Sequence, residues 1–213
     1  PVISVSEDMG IIAVYIGDQK HPLSPIPRLL DRANQALQTL ERYKNRLDEV
    51  NRTVSAHEIE DIVTIRDVVV LLQRLEMVRR IADEIEATIV ELGDDGRLVR
   101  LQLEEVMGGV GDDRRLVVLD YFHEDAGWHL EEAMDGLASL DTEALLDLKA
   151  VASMLHLAEA ANDLDAPVQP KGYRLLSRIP RLPENVIARI VERFGNLSKI
   201  MRATIDDLEE VEG

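Results

Sequence analysis

From Leu29 onward the apolar residues fall at Leu29, Ala33, Ala36, Leu40, Tyr43, Leu47, Val50 and Val54, in steps of four and three that alternate without a break. That spacing draws one apolar stripe down a helix of about seven turns. The charged residues between them, among them Asp31, Arg32, Glu41, Arg42, Asp48 and Glu49, then face water, and the stripe packs within its own bundle. Ser55-Ala-His-Glu58 has the form of a capping box, a hydroxyl and a carboxylate that satisfy each other's backbone amides, and it predicts the start of a second long helix. That helix runs through Ile59, Ile62, Val69, Leu72, Met77, Ile81, Ile85 and Ile89. Gly93-Asp-Asp-Gly96 interrupts it, Arg97 to Met107 resumes the helical spacing, and shorter helices are expected at about 113–123, 128–139 and 142–161.

Before this helical body, two β-rich runs, Val2–Glu7 and Gly10–Gly17, flank Asp8-Met9-Gly10 and read as a hairpin or strand pair. Two strands do not make a stable sheet, so their partners are expected upstream of Pro1. Ser24-Pro25-Ile26-Pro27 ends the β pattern and opens the first helix. Asp163–Lys171, with Pro167 and Pro170, is the best linker candidate.

The last forty-odd residues have the parts of a tandem helix-hairpin-helix. Tyr173–Arg178 is a short helix, Ile179-Pro-Arg-Leu-Pro183 a hairpin, and Glu184–Phe194 a helix closed by Gly195. Asn196 and Thr204 are N-caps of two more helices, the second with Asp207 three residues in. Val211-Glu212-Gly213 has the apolar-x-Gly form of a second hairpin turn, and the helix that would follow is not in the sequence. With a first strand that lacks a start Met, the chain is expected to be a piece of a longer protein. In such hairpins the free amides at a helix start hold a nucleic-acid phosphate, helped by the helix dipole, which sets position rather than sequence preference. Pro180 and Pro183 have no N–H, so the first hairpin donates less than a glycine-containing one, and Arg181 at its tip compensates by charge.

Charge supports this reading only when it is mapped along the chain. The net charge of the 213 residues is −17, which alone argues against nucleic acid. Residues 1–166 hold 16 basic and 34 acidic side chains, whereas residues 167–202 hold eight basic and two acidic ones. A local patch of +6 on an acidic body suits one surface that meets phosphate while the rest stays soluble. Helix formers dominate and the only aromatics are one Trp, two Phe and four Tyr, which favours a mainly helical protein. There is no Cys, hence no disulfide and no thiolate metal site, and no apolar run approaches the roughly 20 residues that span a bilayer.

Other candidate chemistry is weaker. His123-Glu124-Asp125 and His129 place two imidazoles near one another without fixing a third ligand, and polar residues at a helix end account for them better. His21, His57 and His156 stand alone. Gly108-Gly-Val-Gly111 is followed by Asp112 and Asp113, whose charge would repel a phosphate, so it is a loop. No Ser/His/Asp arrangement, Walker loop or dinucleotide fingerprint occurs.

Several segments together resemble the DisA family of bacterial diadenylate cyclases, the DNA integrity scanning proteins. They are Val2-Ile-Ser-Val-Ser-Glu7, Ala33–Glu41, Ile89-Val-Glu-Leu-Gly93, Gly96-Arg-Leu-Val, Leu103-Glu-Glu, and Gly172-Tyr-Arg-Leu-Leu-Ser-Arg-Ile-Pro-Arg-Leu-Pro183 running into Leu208-Glu-Glu-Val-Glu-Gly213. The resemblance implies a cyclase domain, a helical linker and a C-terminal RuvA-like helix-hairpin-helix domain. It implies cytoplasmic synthesis of cyclic di-AMP from two ATP with Mg²⁺ or Mn²⁺, in a homo-octamer, suppressed by branched or junction DNA. The Asp-Gly-Ala and Arg-His-Arg motifs that hold metal and phosphates in that family occur nowhere in this sequence. Only Ser6 and Glu7 carry over, as a partial nucleotide pocket, so this chain by itself is expected to be catalytically inert.

The expected fold is therefore mainly α, with remnant β strands of an α/β cyclase domain in 1–24, an elongated helical linker bundle in 25–166 and a tandem helix-hairpin-helix in 167–213. The candidate DNA-binding residues are Lys171, Arg174, Arg178, Arg181, Lys199 and Gly213. Two other readings remain open from the residues: a non-enzymatic DNA-repair accessory protein, and a helical module whose basic patch meets an acidic protein.

Overall fold

A computed structural model describes residues 2–6, 11–22, 24–108, 110, 113–122, 129–155 and 163–211. It is mainly α. Strands β1 (Val2–Ser6), β2 (Ile11–Ile16) and β3 (Gln19–Pro22) precede α1 (Ile26–Glu60), α2 (Ile65–Leu92), α3 (Arg97–Met107), α4 (Asp113–Tyr121), α5 (Leu130–Ser139), α6 (Thr142–Leu146) and α7 (Leu148–Met154). The C-terminal segment adds α8 (Tyr173–Leu176), α9 (Glu184–Phe194), α10 (Leu197–Arg202) and α11 (Ile205–Glu209). Among the described residues, no helix is long and apolar enough to cross a membrane.

The strands form one antiparallel sheet in the order β1-β2-β3, with Val2 opposite Tyr15 and Ile16 opposite Gln19. The expected hairpin is present, and its further partner follows it in the chain. Gln-Lys-His-Pro carries no β-branched or alternating pattern, which is why β3 is invisible in the sequence. An edge strand tolerates that composition, and Pro22 at its end needs no ladder hydrogen bond.

The capping box expected at Ser55 does not form. Helix α1 runs through it to Glu60, and the Ser55 hydroxyl donates back to the Asn51 carbonyl at 2.8 Å. The helix stops where Asp61 turns left-handed at φ 58° and the Ile62 amide reaches the His57 carbonyl at 3.0 Å, closing the last turn. The functional box lies nine residues further on. The Thr64 amide and hydroxyl donate to Asp67 Oδ2 at 3.0 and 2.9 Å, and the Asp67 amide returns to the Thr64 hydroxyl at 3.3 Å. Both sites match the pattern; only the second coincides with a chain reversal.

The expected linker is also more engaged than its prolines suggest. Thr64 and Pro167 form an antiparallel bridge, and the Ile65 and Arg66 amides, orphaned at the start of α2, donate to the Ala166 and Leu164 carbonyls. The helix expected over 142–161 is, within the described residues 142–155, two helices divided where Asp147 caps α7 by accepting from the Lys149 amide at 2.9 Å, and 156–161 lie outside the described residues.

The chain packs as two compact units, residues 1–42 with 80–108 and residues 43–79 with 109–213. In the first, Leu29, Ala33, Leu37 and Leu40 of α1 are buried, as are Ile85 and Ile89 of α2 and Val99 and Leu103 of α3. Leu37 takes a place the stripe assigned to Ala36, so the covered face is wider than a single seam. In the second, α2 is buried over most of its circumference, with Val68, Val69, Leu71, Leu72, Leu75 and Val78 inside. Glu76 is fully buried on that helix, held by Arg79 at 2.7 Å and by Arg114. The Gln73 amide donates to the Leu145 carbonyl at 2.7 Å, whereas the buried Nε of Arg74 on the same helix has no hydrogen-bond partner.

Thr64→Ala is expected to lower stability by about 1 kcal/mol, the usual worth of an N-cap. Burial pushes Asp67 up, but bonds from the Thr64 amide and hydroxyl and from His57 outweigh it and hold the carboxyl below its ordinary value. A carboxylate lowered in the fold stabilises it above the unfolded value of about 3.9 and loses that contribution as pH falls through the folded value. Urea unfolding at pH 7 and pH 3 should therefore show the Thr64→Ala penalty at the first pH and a reduced one at the second.

Candidate nucleic-acid interface

The C-terminal segment is built from short helices around its own apolar cluster of Leu176, Ile187, Ile190, Val191 and Ile200, with Tyr173, Leu182, Val186, Phe194 and Val211 packed on it. Helix α9 ends at Gly195 with φ 80°, whose amide donates to Val191 at 2.7 Å. Asn196 caps α10 by accepting from the Lys199 amide at 2.9 Å, and Thr204 with Asp207 forms the reciprocal box that starts α11. Hydrogen bonds from the Thr204 hydroxyl and amide hold the Asp207 carboxyl below its ordinary value. These caps are local consequences of sequence and match their expected positions. The second hairpin is described as far as Val211, and Gly213 lies outside the described residues.

The first hairpin turns at Ile179–Leu182, where the Leu182 amide donates to the Ile179 carbonyl at 3.3 Å. Pro180 presets one corner, and Arg181 occupies the next with φ 66°, a place where glycine is the usual residue. Arg181 is exposed at this tip. Pro183 then becomes the N-cap of α9 with no side chain to cap it, while the Val186 and Ile187 amides both close on the Pro183 carbonyl. The first-turn amides of Glu184 and Asn185 thus present the positive end of an eleven-residue helix beside an exposed arginine. Glu184 itself sits in that turn and opposes an anion there.

Beside the hairpin lies a cleft of about 550 Å³, walled by Arg115, Leu116 and Leu119 of α4 and by Tyr173, Ser177, Leu182, Glu184, Ile187 and Ala188. It brings the exposed Arg115, which sequence reasoning did not single out, next to the hairpin.

The other candidate cations divide. Arg178 is exposed, with Nη2 3.3 Å from Asn51 Oδ1. Lys199 is exposed on α10. Lys171 is half-buried, and its ammonium donates to the Phe122 carbonyl at 2.9 Å.

Arg174 contradicts the sequence expectation. It is 2% exposed, its Nε and Nη2 fork onto Glu58 at 3.1 and 3.0 Å, and it also donates to Asn51 Oδ1 and Ser55 Oγ at 2.8 and 2.9 Å. A guanidinium with its donors spent on buried acceptors is not available to phosphate. The cationic tip is smaller than counting suggested for a second reason: Arg193 pairs with Glu210 and stacks 5.8 Å from the Phe194 ring centre.

What secures α8 is a set of acids that sequence reading missed. Asp120 of α4 is 1% exposed and accepts three amides at the start of α8, Gly172 and Tyr173 on Oδ1 at 2.7 and 2.6 Å and Arg174 on Oδ2 at 2.9 Å. Burial, with Glu58 nearby, pushes Asp120 up to about 6 against the pull of those amides. Glu58 is 3% exposed and also accepts the Tyr121 hydroxyl at 2.7 Å, and burial and that carboxylate raise the Tyr121 phenol well above its ordinary value. A lone acid inside the run Leu116-Val-Val-Leu-Asp-Tyr-Phe122 is the signal that could have found Asp120, because an unpaired carboxylate there would be costly.

Ser6 closes β1 opposite Ile11, and Glu7 lies outside the described residues. Among the described residues no group of three or more His, Cys, Asp or Glu could hold a metal ion. His129 precedes α5, its amide donating to Glu132 at 3.1 Å, and His123, Glu124 and Asp125 lie outside the described residues. The described residues therefore do not make up a metal and triphosphate site.

Residues 23–164 match the family described as the DisA bacterial checkpoint controller linker region. All of the chain aligns with proteins named DNA integrity scanning protein DisA. Those from Kineococcus radiotolerans, Acidothermus cellulolyticus and Streptomyces coelicolor are 54%, 56% and 51% identical to it. The chain spans 60%, 58% and 58% of the length of these relatives. The described helices, a profile match over two thirds of the residues and identity above one half agree: this chain belongs to the DisA family and carries its linker region.

Proposed function

We propose that this chain is the linker and DNA-sensing portion of a diadenylate cyclase, comprising the end of the cyclase domain in 1–24, the linker in 25–166 and a helix-hairpin-helix DNA-binding segment in 167–213. The observation that carries the DNA reading is the exposed Arg181 turn, which leads into uncapped amides at the start of α9 beside Arg178 and Arg115. Relatives named for DNA integrity scanning support it. The backbone of branched DNA is the expected partner, with Lys199 and Gly213 as further contacts and Lys171 a weaker one. Cyclic di-AMP synthesis, Mg²⁺ or Mn²⁺ with ATP, a homo-octamer and a cytoplasmic setting belong to the parent protein in this reading. Phosphoryl transfer needs metal-bound carboxylates and clamps on a triphosphate. The sequence lacks the Asp-Gly-Ala and Arg-His-Arg strings that would supply them. Incubated with ATP and Mn²⁺, the chain should yield no cyclic di-AMP by chromatography, and any turnover overturns that assignment.

Binding to phosphates releases counterions, so affinity should fall linearly on a log–log plot against salt, with a slope of about −0.9 for each phosphate neutralised. With a labelled four-way junction, Arg178→Glu with Arg181→Glu is expected to weaken binding by about tenfold or more and to flatten the salt slope by about two contacts. Unchanged affinity would remove the hairpin from the interface.

A further inference from the structure

The acids that hold α8 belong to other elements, and their arrangement reaches beyond packing. Asp120 comes from α4 and Glu58 from α1, yet Asp120 binds the amides of Gly172, Tyr173 and Arg174 and Glu58 the Arg174 guanidinium, at the start of the helix that leads into the first hairpin. Gly172 enters α8 with φ 118°, and Asp120 binds the amides of Gly172, Tyr173 and Arg174 in succession. Two residues beyond α8 begins the segment carrying Arg178, Arg181 and the outward amides of α9. With α8 only four residues long, the hairpin's direction depends on how its first turn is anchored.

We propose that Asp120 is a positioning residue for nucleic-acid binding: its ionised carboxylate fixes the start of α8, and proton uptake there loosens the hairpin and weakens binding. The proposal rests on the hairpin reading above. Anchoring needs both oxygens as acceptors, because Oδ1 serves two amides and Oδ2 the third. A proton turns one oxygen into a donor facing an N–H and removes the charge that strengthens all three bonds.

The surroundings make that proton accessible near neutrality. Burial and the Glu58 charge from α1 raise Asp120 to about 6. Arg174 from α8 is occupied by Glu58, Tyr121 on α4 donates to the same Glu58, and the Lys171 ammonium is directed to the Phe122 carbonyl. Neither Arg174 nor Lys171 forms a side-chain ion pair with Asp120 among the described residues. Ordinary electrostatics has the opposite sign: acidification protonates histidines, makes the protein more positive and strengthens phosphate binding.

The test is junction-DNA affinity of the chain between pH 7.5 and 5.5 at constant ionic strength, with folding checked by circular dichroism at each pH. The wild type should weaken by about tenfold with a midpoint near 6. Asp120→Asn, whose amide nitrogen faces the Arg174 N–H, should bind at the weakened level at pH 7.5 and vary little with pH. Glu58→Gln removes the neighbouring charge, so its midpoint should move to lower pH, and the wild-type profile by itself decides if neither variant folds. Affinity that rises on acidification, an Asp120→Asn profile like the wild type, or an unmoved Glu58→Gln midpoint would each overturn the proposal. Arg181→Glu at pH 7.5 separates the two readings. A loss there with a flat wild-type pH profile removes only the positioning role, and no loss removes the hairpin reading itself.

Discussion

Arg174→Met should destabilise the chain by about 3–5 kcal/mol, the scale expected when one partner of a buried ion pair is removed and the other is left uncompensated. Glu58 would remain 3% exposed with the Tyr121 hydroxyl still donating to its carboxylate but no cation beside it from α8, and the Asn51 and Ser55 oxygens would lose the guanidinium they accept from. The pair's net contribution is a different quantity, because both ions were taken out of water to form it. Arg174→Met with Glu58→Gln should therefore recover about 2 kcal/mol of the loss, a coupling in the range measured for contacting residues. Urea unfolding of the two single variants and the double variant gives the cycle. An Arg174→Met penalty below about 1 kcal/mol would mean that the arginine is not locked inside the fold. Junction affinity measured on the folded fraction separates the roles: a phosphate ligand would lose affinity at unchanged stability, whereas the structural arginine loses stability first.

Gly172→Val should cost about 3 kcal/mol. Two effects add there. With φ at 118° the residue is in a conformation that side chains rarely adopt, and its Cβ would lie 3.0 Å from Ile200 Cδ1 in the apolar cluster under the hairpin. A third effect follows, because displacing Gly172 pulls its amide from Asp120. Gly195→Ala is the control. Its φ is 80°, but nothing lies within 4 Å of the added methyl, so only the backbone term remains, about 1 kcal/mol. Thermal melts of both variants decide the matter, and equal penalties would show that crowding against Ile200 is unimportant.

What the sequence by itself determined was local. The stripe from Leu29 to Val54 gives α1 because a period near 3.6 has one helical solution, and Gly195, Asn196 and Thr204 stop and start helices because each satisfies backbone groups within four residues of itself. The positions of the hairpin, its proline corner and its arginine tip could be read for the same reason. Only the tertiary structure decided which polar residues act over distance. Ser55-x-x-Glu58 and Thr64-x-x-Asp67 are equal as patterns, but the chain turns only at the second, and Glu58 instead meets Arg174, 116 residues away. Eight basic residues in a row of thirty-six look like one patch, yet Arg174 and Arg193 find carboxylates that spacing cannot place beside them. Charge along a chain is a sum over neighbours in sequence, whereas a phosphate meets only those cations that folding leaves at the surface, and burial with a partner removes an arginine from that set.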